Sequence, residues 1–214
     1  MRSYEFTRKM LDGKPVTEPN EKGELVEVLA YPDCQLPEYQ TTHSAGADFF
    51  CAEEVVVPSI WKLVFSSLMS KTGAKVESIA DSLFEKLGYT KAEEDKKDLV
   101  DICPTLVHTG IKACMFDDEL LEIYTISSNP KKLGLVLANS IGLVDCDYYN
   151  NPDNDGEIMF AFYNFKLWDT TLKVGDRIGQ GKFSKCLRPT VGLRVKDAER
   201  TGGFGSTNEE KTEK

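Results

Sequence analysis

The sequence predicts an all-β fold interrupted by one helical insertion, and the patterning of its 214 residues shows why. β-prone runs are short and recur between turns rich in Gly, Pro and Asn, the texture of a sandwich, barrel or jelly roll. One stretch alone switches from a period of two to a period of 3.6 residues. A hydrophobic content of 41% is ordinary for a soluble protein with a real core. The length suits one generous domain, or one domain with an elaboration.

Residues 1–23 are polar and turn-rich, ending in Asn20-Glu21-Lys22-Gly23, and read as a loosely attached leader. Leu25 to Tyr31 reads as the first strand. Further runs follow at Asp48–Cys51, Glu54–Val57, Thr105–Cys114, Leu121–Thr125, Leu135–Leu137 and Ile141–Val144. The pattern continues at Glu157–Phe165, Arg177–Phe183 and Pro189–Val195. Between Ser59 and Ile102, Val76, Ile79, Ala80, Leu83, Phe84 and Leu87 share one helix face, and Gly88 stands just past them where a terminating glycine belongs. Thr90-Lys91-Ala92-Glu93 has capping-box spacing and opens a second helix through Val100. Ile60, Trp61, Leu63, Val64, Leu68 and Met69 form an apolar cluster ahead of both. The expected organisation is therefore a leader (1–23), a β domain (24–207) interrupted by a helical insertion (59–102), and a charged, disordered tail (208–214).

A formal charge of −9 argues against general nucleic-acid binding, which needs a basic face, yet allows a small phosphorylated ligand held by a few local cations. Six cysteines occur without Cys-x-x-Cys spacing, the first residues carry no apolar signal stretch, and no run approaches the roughly 20 apolar residues that span a bilayer. Reduced thiols, a cytoplasmic location and no membrane partner are expected. With only His43 and His108 available, a Cys/His zinc site is not expected.

Several short motifs carry chemistry. Ser44-Ala45-Gly46-Ala47-Asp48-Phe49 is, alone, a turn entering a strand, and His108-Thr109-Gly110-Ile111 is a polar turn inside a β-hairpin. Ser127-Ser128-Asn129-Pro130-Lys131-Lys132 is a solvated loop whose hydroxyls and cations suit phosphate oxygens. In Gly142-Leu143-Val144-Asp145-Cys146-Asp147-Tyr148 two acids lie two apart on a strand and so share a face, where their repulsion needs a use. Gly175-Asp176-Arg177-Ile178-Gly179-Gln180 is a turn followed by a strand. Arg200-Thr201-Gly202-Gly203-Phe204-Gly205-Ser206-Thr207 suits either a low-complexity tail or a flap over a base and its phosphates.

In order and spacing these segments closely resemble the motifs of the homotrimeric dUTPases, at Ala45–Asp48, Ser127–Ser128, Gly142–Tyr148, Gly175–Gln180 and Arg200–Thr207. Leu36-Pro37-Glu38-Tyr39 and Thr109-Gly110 resemble the family too. The resemblance spans about residues 24–58 and 103–207.

The resemblance implies a jelly-roll-like β-barrel and a trimer whose active sites are built from all three subunits. It implies Asp145 as the general base that activates water for attack on the α-phosphorus of dUTP, giving dUMP and pyrophosphate. Mg²⁺ is the implied cofactor, bound mainly through phosphates and waters, with Asp48 supporting the metal-water network. Asn139 and the backbone of the hairpin from Asn139 to Tyr148, Gly142 included, would read uracil. Tyr148 would pack beneath the deoxyribose and leave no room for a 2′-hydroxyl. Ser127, Ser128, Gln180, Arg200, Ser206 and Thr207 would line the phosphates, with Phe204 stacked on uracil and Gly205 in the same flap.

The chain departs from the pattern in places. Ile126 stands where the family has an arginine, whose loss costs roughly 1.5–3 kcal/mol of phosphate binding if nothing replaces it. Lys131 and Lys132 are candidate substitutes. Arg200 lies one residue nearer Phe204 than in many members, and Tyr149–Asp155 enlarges the hairpin. The 59–102 insertion is absent from typical members, and it offers either a lid, a decoration of the trimer surface, or a docking face for a protein partner. Two alternatives compete with hydrolysis: a dUTP-binding regulatory protein with reduced turnover, and dCTP deaminase, which shares the fold but has a catalytic glutamate where this chain has Ala161.

Overall fold

The computed structural model describes residues 1–64 and 103–191. Its strands are β1 Ser3–Phe6, β2 Met10–Leu11, β3 Lys14–Pro15, β4 Thr17–Pro19, β5 Leu25–Glu27, β6 Ala47–Phe50 and β7 Val55–Val57. After residue 102 come β8 Thr105–His108, β9 Ile111–Cys114, β10 Glu119–Thr125, β11 Leu135–Leu137, β12 Gly142–Asp145, β13 Met159–Asn164, β14 Thr170–Leu172 and β15 Arg177–Lys185. They assemble as an all-β fold of the jelly-roll type. A four-stranded antiparallel sheet (β12-β10-β15-β6) and a three-stranded one (β11-β13-β8) are accompanied by the shorter pairs β14-β7 and β1-β9.

The two-residue period of the sequence decides which side chains meet. Along β10, Leu121 and Ile123 are buried while Leu120, Glu122 and Tyr124 turn outward. Along β13, Phe160 and Phe162 point inward, and the Phe160 ring lies 5.7 Å from that of Phe49 on β6. With Leu135, Ile158, Leu172 and Ile178 these rings fill one core, each buried large side chain contributing about 1.5–3 kcal/mol.

The structure corrects several expectations. Residues 1–23 are not a loose leader: β1 pairs with β9, Tyr4 meets Phe49 edge-on at 5.4 Å, and the Arg8 guanidinium reaches the buried Asp155 carboxylate. Polarity misled there, because the segment's few aromatics and arginines are the parts that dock. The run from Leu25 contributes only β5, an exposed strand paired with β4. Thr105–Cys114 is no hairpin either. Its halves belong to different sheets, and the Thr109 hydroxyl donates to the Ile158 carbonyl at 2.6 Å where the chain changes sheet. The Ser127–Lys132 loop is in part a π-helical turn, Asn129–Leu133. Of the segment expected to be a helical insertion, only residues 59–64 are described: residues 60–64 are helical, with the Leu63 amide donating to the Ser59 carbonyl. The helices expected around Val76–Leu87 and Thr90–Val100 lie outside the described residues, as does the tail.

Candidate active site

β12 is the edge strand of the four-stranded sheet, and its register fixes the central motif. Gly142 sits opposite Ile123, Val144 opposite Leu121 and Asp145 opposite Leu120. A Cβ at Gly142 would stand 2.4 Å from Ile123 Cγ1, so only glycine lets the strand lie this close. The same Cβ would lie 3.3 Å from Asn139 Nδ2, which puts the Asn139 side chain against the start of β12. The expected Asn139–Tyr148 hairpin is instead a corner between sheets, since β11 pairs with β13 and β12 with β10. A tight turn makes the corner: the Ile141 amide donates to the Asn139 carbonyl at 2.6 Å, and Ser140 adopts a left-handed φ of 61°.

β12 ends at Asp145, and Cys146–Tyr148 is a single 3₁₀ turn. Asp145 and Asp147 therefore do not alternate along a strand as the sequence suggests, yet both line one open cleft with Asp117, Glu119, Leu120, Cys146, Cys186 and Arg188. Burial pushes the Cys146 thiol up, reinforced by Asp147 and Asp117 and opposed by Arg188. Glu119 is pushed down to about 2 by the hydrogen bonds it accepts from Arg2, whose Nε lies 2.8 Å from Oε2. Tyr148 is buried, and its hydroxyl accepts from Asn154 Nδ2 at 2.8 Å.

The other expected site residues cluster at the far end of the same sheet. Gln180 on β15 sits between Tyr124 on β10 and Asp48 on β6. Asp48 is buried and its Oδ2 accepts from Arg177 Nη1 at 2.8 Å, so the motif acid is held by the motif arginine. Ser127 and Ser128 follow β10 after the single residue Ile126. Asn129, fully buried, anchors them by donating from Nδ2 to the Ile178 carbonyl at 2.6 Å. Ile126 is also buried, so its position offers the site no donor.

Asp145 lies opposite residue 120 and Gln180 opposite residue 124, on different flanks of β10. Strand geometry then separates them by about 14 Å along the strands and about 10 Å across them. One chain thus brings Asn139, Gly142, Asp145 and Tyr148 together, and separately Ser127, Ser128, Gln180 and Asp48. Arg200, Phe204, Gly205, Ser206 and Thr207 lie outside the described residues. The sequence reading missed Arg188 and Asn154. Arg188 lies just past the end of β15 and lines Asp145's cleft, a placement that only the folded chain reveals. Among the described residues, no group of three or more His, Cys, Asp or Glu side chains is placed to hold a metal ion.

No protein-family model matches the chain. A deoxyuridine 5'-triphosphate nucleotidohydrolase from Lactococcus lactis subsp. lactis is 47% identical over 102 residues, covering 48% of this chain and 68% of that protein. The chain belongs to the dUTPase family. A Wolinella succinogenes member is 25% identical over a longer stretch, 83% of this chain and 89% of its own length. The crystal structure of a Streptococcus mutans dUTPase superposes with a TM-score of 0.51 at 32% identity, covering 72% of this chain and 88% of that one. Membership in the dUTPase family accounts for the Gly142–Asp145 strand and the jelly-roll topology together. Among the described residues, no helix is long and apolar enough to cross a membrane.

Proposed function

We propose that the protein hydrolyses dUTP to dUMP and pyrophosphate. The observation that carries this reading is the juxtaposition of Asn139, Gly142, Asp145 and Tyr148 along one strand and its flanking turns, in a chain 47% identical over 102 residues to a deoxyuridine 5'-triphosphate nucleotidohydrolase. Asn139 and the backbone at the Ala138–Gly142 corner hydrogen-bond the uracil edge. Tyr148 packs under the sugar. Asp145 accepts a proton from water as the water oxygen bonds to the α-phosphorus and the bond to the bridging oxygen breaks. A bound Mg²⁺ would supply charge neutralisation for the departing pyrophosphate. Asp48, steadied by Arg177, would hold the hydrated ion through water, and Arg188, which lines Asp145's cleft, would offer a cation to the phosphates.

The separation of Asp145 from Gln180 exceeds a side chain's reach, which favours a homotrimer in which one subunit's Asp145 meets another's Ser127, Ser128 and Gln180. Residues 200–207 then serve as the flap, with Arg200, Ser206 and Thr207 on phosphates and Phe204 over the base. Ala161, paired with Leu106 on β8, supplies no carboxylate for a deaminase. Buried Ile126 favours the second reading, a dUTP-binding protein of reduced turnover. Pyrophosphate release measured with each deoxynucleotide and Mg²⁺ separates them. Release from dUTP alone, abolished in Asp145→Asn while dUTP still binds, is expected; binding without release in the wild type overturns hydrolysis.

A further inference from the structure

The structure ties the loop after Tyr148 down at both ends and from outside. Asn150 and Asp155 take left-handed φ values of 58° and 60° and bracket it. Asp155 is wholly buried and its carboxylate is saturated with donors: the Arg8 amide at 2.8 Å, Arg8 Nε at 3.0 Å and Lys112 Nζ at 2.9 Å. Burial alone would raise the Asp155 carboxyl, but these hydrogen bonds outweigh it and the net displacement is downward. Lys112 also donates to Asn150 Oδ1 at 2.7 Å, closing the clamp across the loop.

What the clamp holds in place is Asn154, immediately before Asp155. Its Oδ1 accepts from the Gly156 amide at 3.1 Å, and its Nδ2 donates to the Tyr148 hydroxyl at 2.8 Å. The Tyr148 carbonyl is fixed as well: the Asn151 amide donates to it at 3.2 Å, and a Cβ at Gly156 would come within 2.4 Å of it. The loop thus holds Tyr148 at both ends, by its carbonyl and by its hydroxyl. Excluding one extra hydroxyl by contact demands such constraint, because a ring free to move by about 0.5 Å would simply yield.

We propose that Asn154 is a positioning residue for sugar selection: the Asp155-clamped loop holds the Tyr148 ring where a 2′-hydroxyl does not fit. This rests on the dUTP reading above and on Tyr148 meeting the sugar. It gives the N-terminal segment, through Arg8, a share in specificity rather than in stability alone.

The test is the ratio of kcat/KM for dUTP to kcat/KM for UTP in the wild type, Asn154→Ala, Tyr148→Phe and the double variant. Each single change removes the same hydrogen bond, and Tyr148→Phe does so without touching the loop. The ratio is expected to fall by about 3- to 10-fold in each, the factor for one ordinary hydrogen bond, and to fall no further in the double variant. Asn154→Asp should restore most of the ratio, since a carboxylate accepts from the tyrosine O–H and from the Gly156 amide. An unchanged ratio in both single variants, or equal losses on both nucleotides, overturns the proposal. Should the wild type bind but not hydrolyse dUTP, the reading of function fails by itself, and the ratio of dissociation constants for the two nucleotides decides the role of Asn154.

Discussion

Ile126 marks how far one side chain departs from its family and how little a simple reversion would repair. The position precedes the serines proposed to face phosphate, where the resemblance leads one to expect an arginine, yet here it is 7% exposed and faces the packed side of the turn after β10. A guanidinium forced into that setting must stay unpaired or lever the turn outward, and an unpaired buried charge is among the costlier substitutions. Ile126→Arg is therefore expected to lower the melting temperature by several degrees without raising kcat, read by thermal denaturation and steady-state kinetics. A rise in kcat with unchanged stability would mean that the turn readily exposes this position. Arg188 is the cation to weigh against the missing one, because it lines the cleft beside Asp145.

At the scale of elements, β12 is the strand on which the proposed chemistry depends, and its placement turns on one absent methyl group. Gly142→Ala would set a Cβ 2.4 Å from Ile123 Cγ1 and 2.7 Å from Cδ1, so β12 must move off β10 or Ile123 must leave its place in the core. Overpacking of this kind costs about 1–3 kcal/mol, and it displaces Asp145 three residues along. Both Tm and kcat/KM should fall, and Ile123→Ala in the same chain should restore part of the kinetics by removing the clashing atoms. Kinetics that stay depressed in the double variant would assign Gly142 a role beyond packing. Much of this element was legible: Leu135–Leu137 and the strands around Leu121 and Phe160 follow from alternation of apolar residues between turns. The corner at Asn139 was not, because alternation reveals that strands exist but not which sheet receives them. Asp145 and Asp147 were paired correctly as neighbours of one cleft, but for the wrong reason, since a 3₁₀ turn and not strand alternation aims them. β1 was missed because its docking depends on Tyr4, Phe6 and two arginines meeting partners more than a hundred residues away.

The molecule as a whole is held shut by those distant partners, and that makes its N-terminal segment sensitive to acid. Glu119 drops from an ordinary value of 4.5 to about 2 against Arg2, and Asp155 is likewise lowered against Arg8 and Lys112. Carboxyls lowered on folding stabilise above their unfolded values and lose that contribution as pH falls through the folded ones. The Tm difference between wild type and an Arg2→Gln/Arg8→Gln variant should hence be full near pH 6 and shrink below about pH 4.5.

Assembly imposes the stronger test at this scale. Register leaves Asp145 and Gln180 about 14 Å apart along β10 and on opposite flanks of it, so a single chain does not present both to one phosphorus. If sites form between subunits, Asp145→Asn and Gln180→Ala fail in different chains and can complement. Each variant alone should be nearly inactive, whereas refolding an equal mixture should regain about a quarter of wild-type activity, the statistical share of sites that draw each intact residue from a different subunit. A mixture as inactive as its components would place the whole site within one chain, and the strand register would then have to be wrong. Differential tagging of the two variants, with activity read on doubly tagged species, ties any recovery to mixed assemblies rather than to residual turnover.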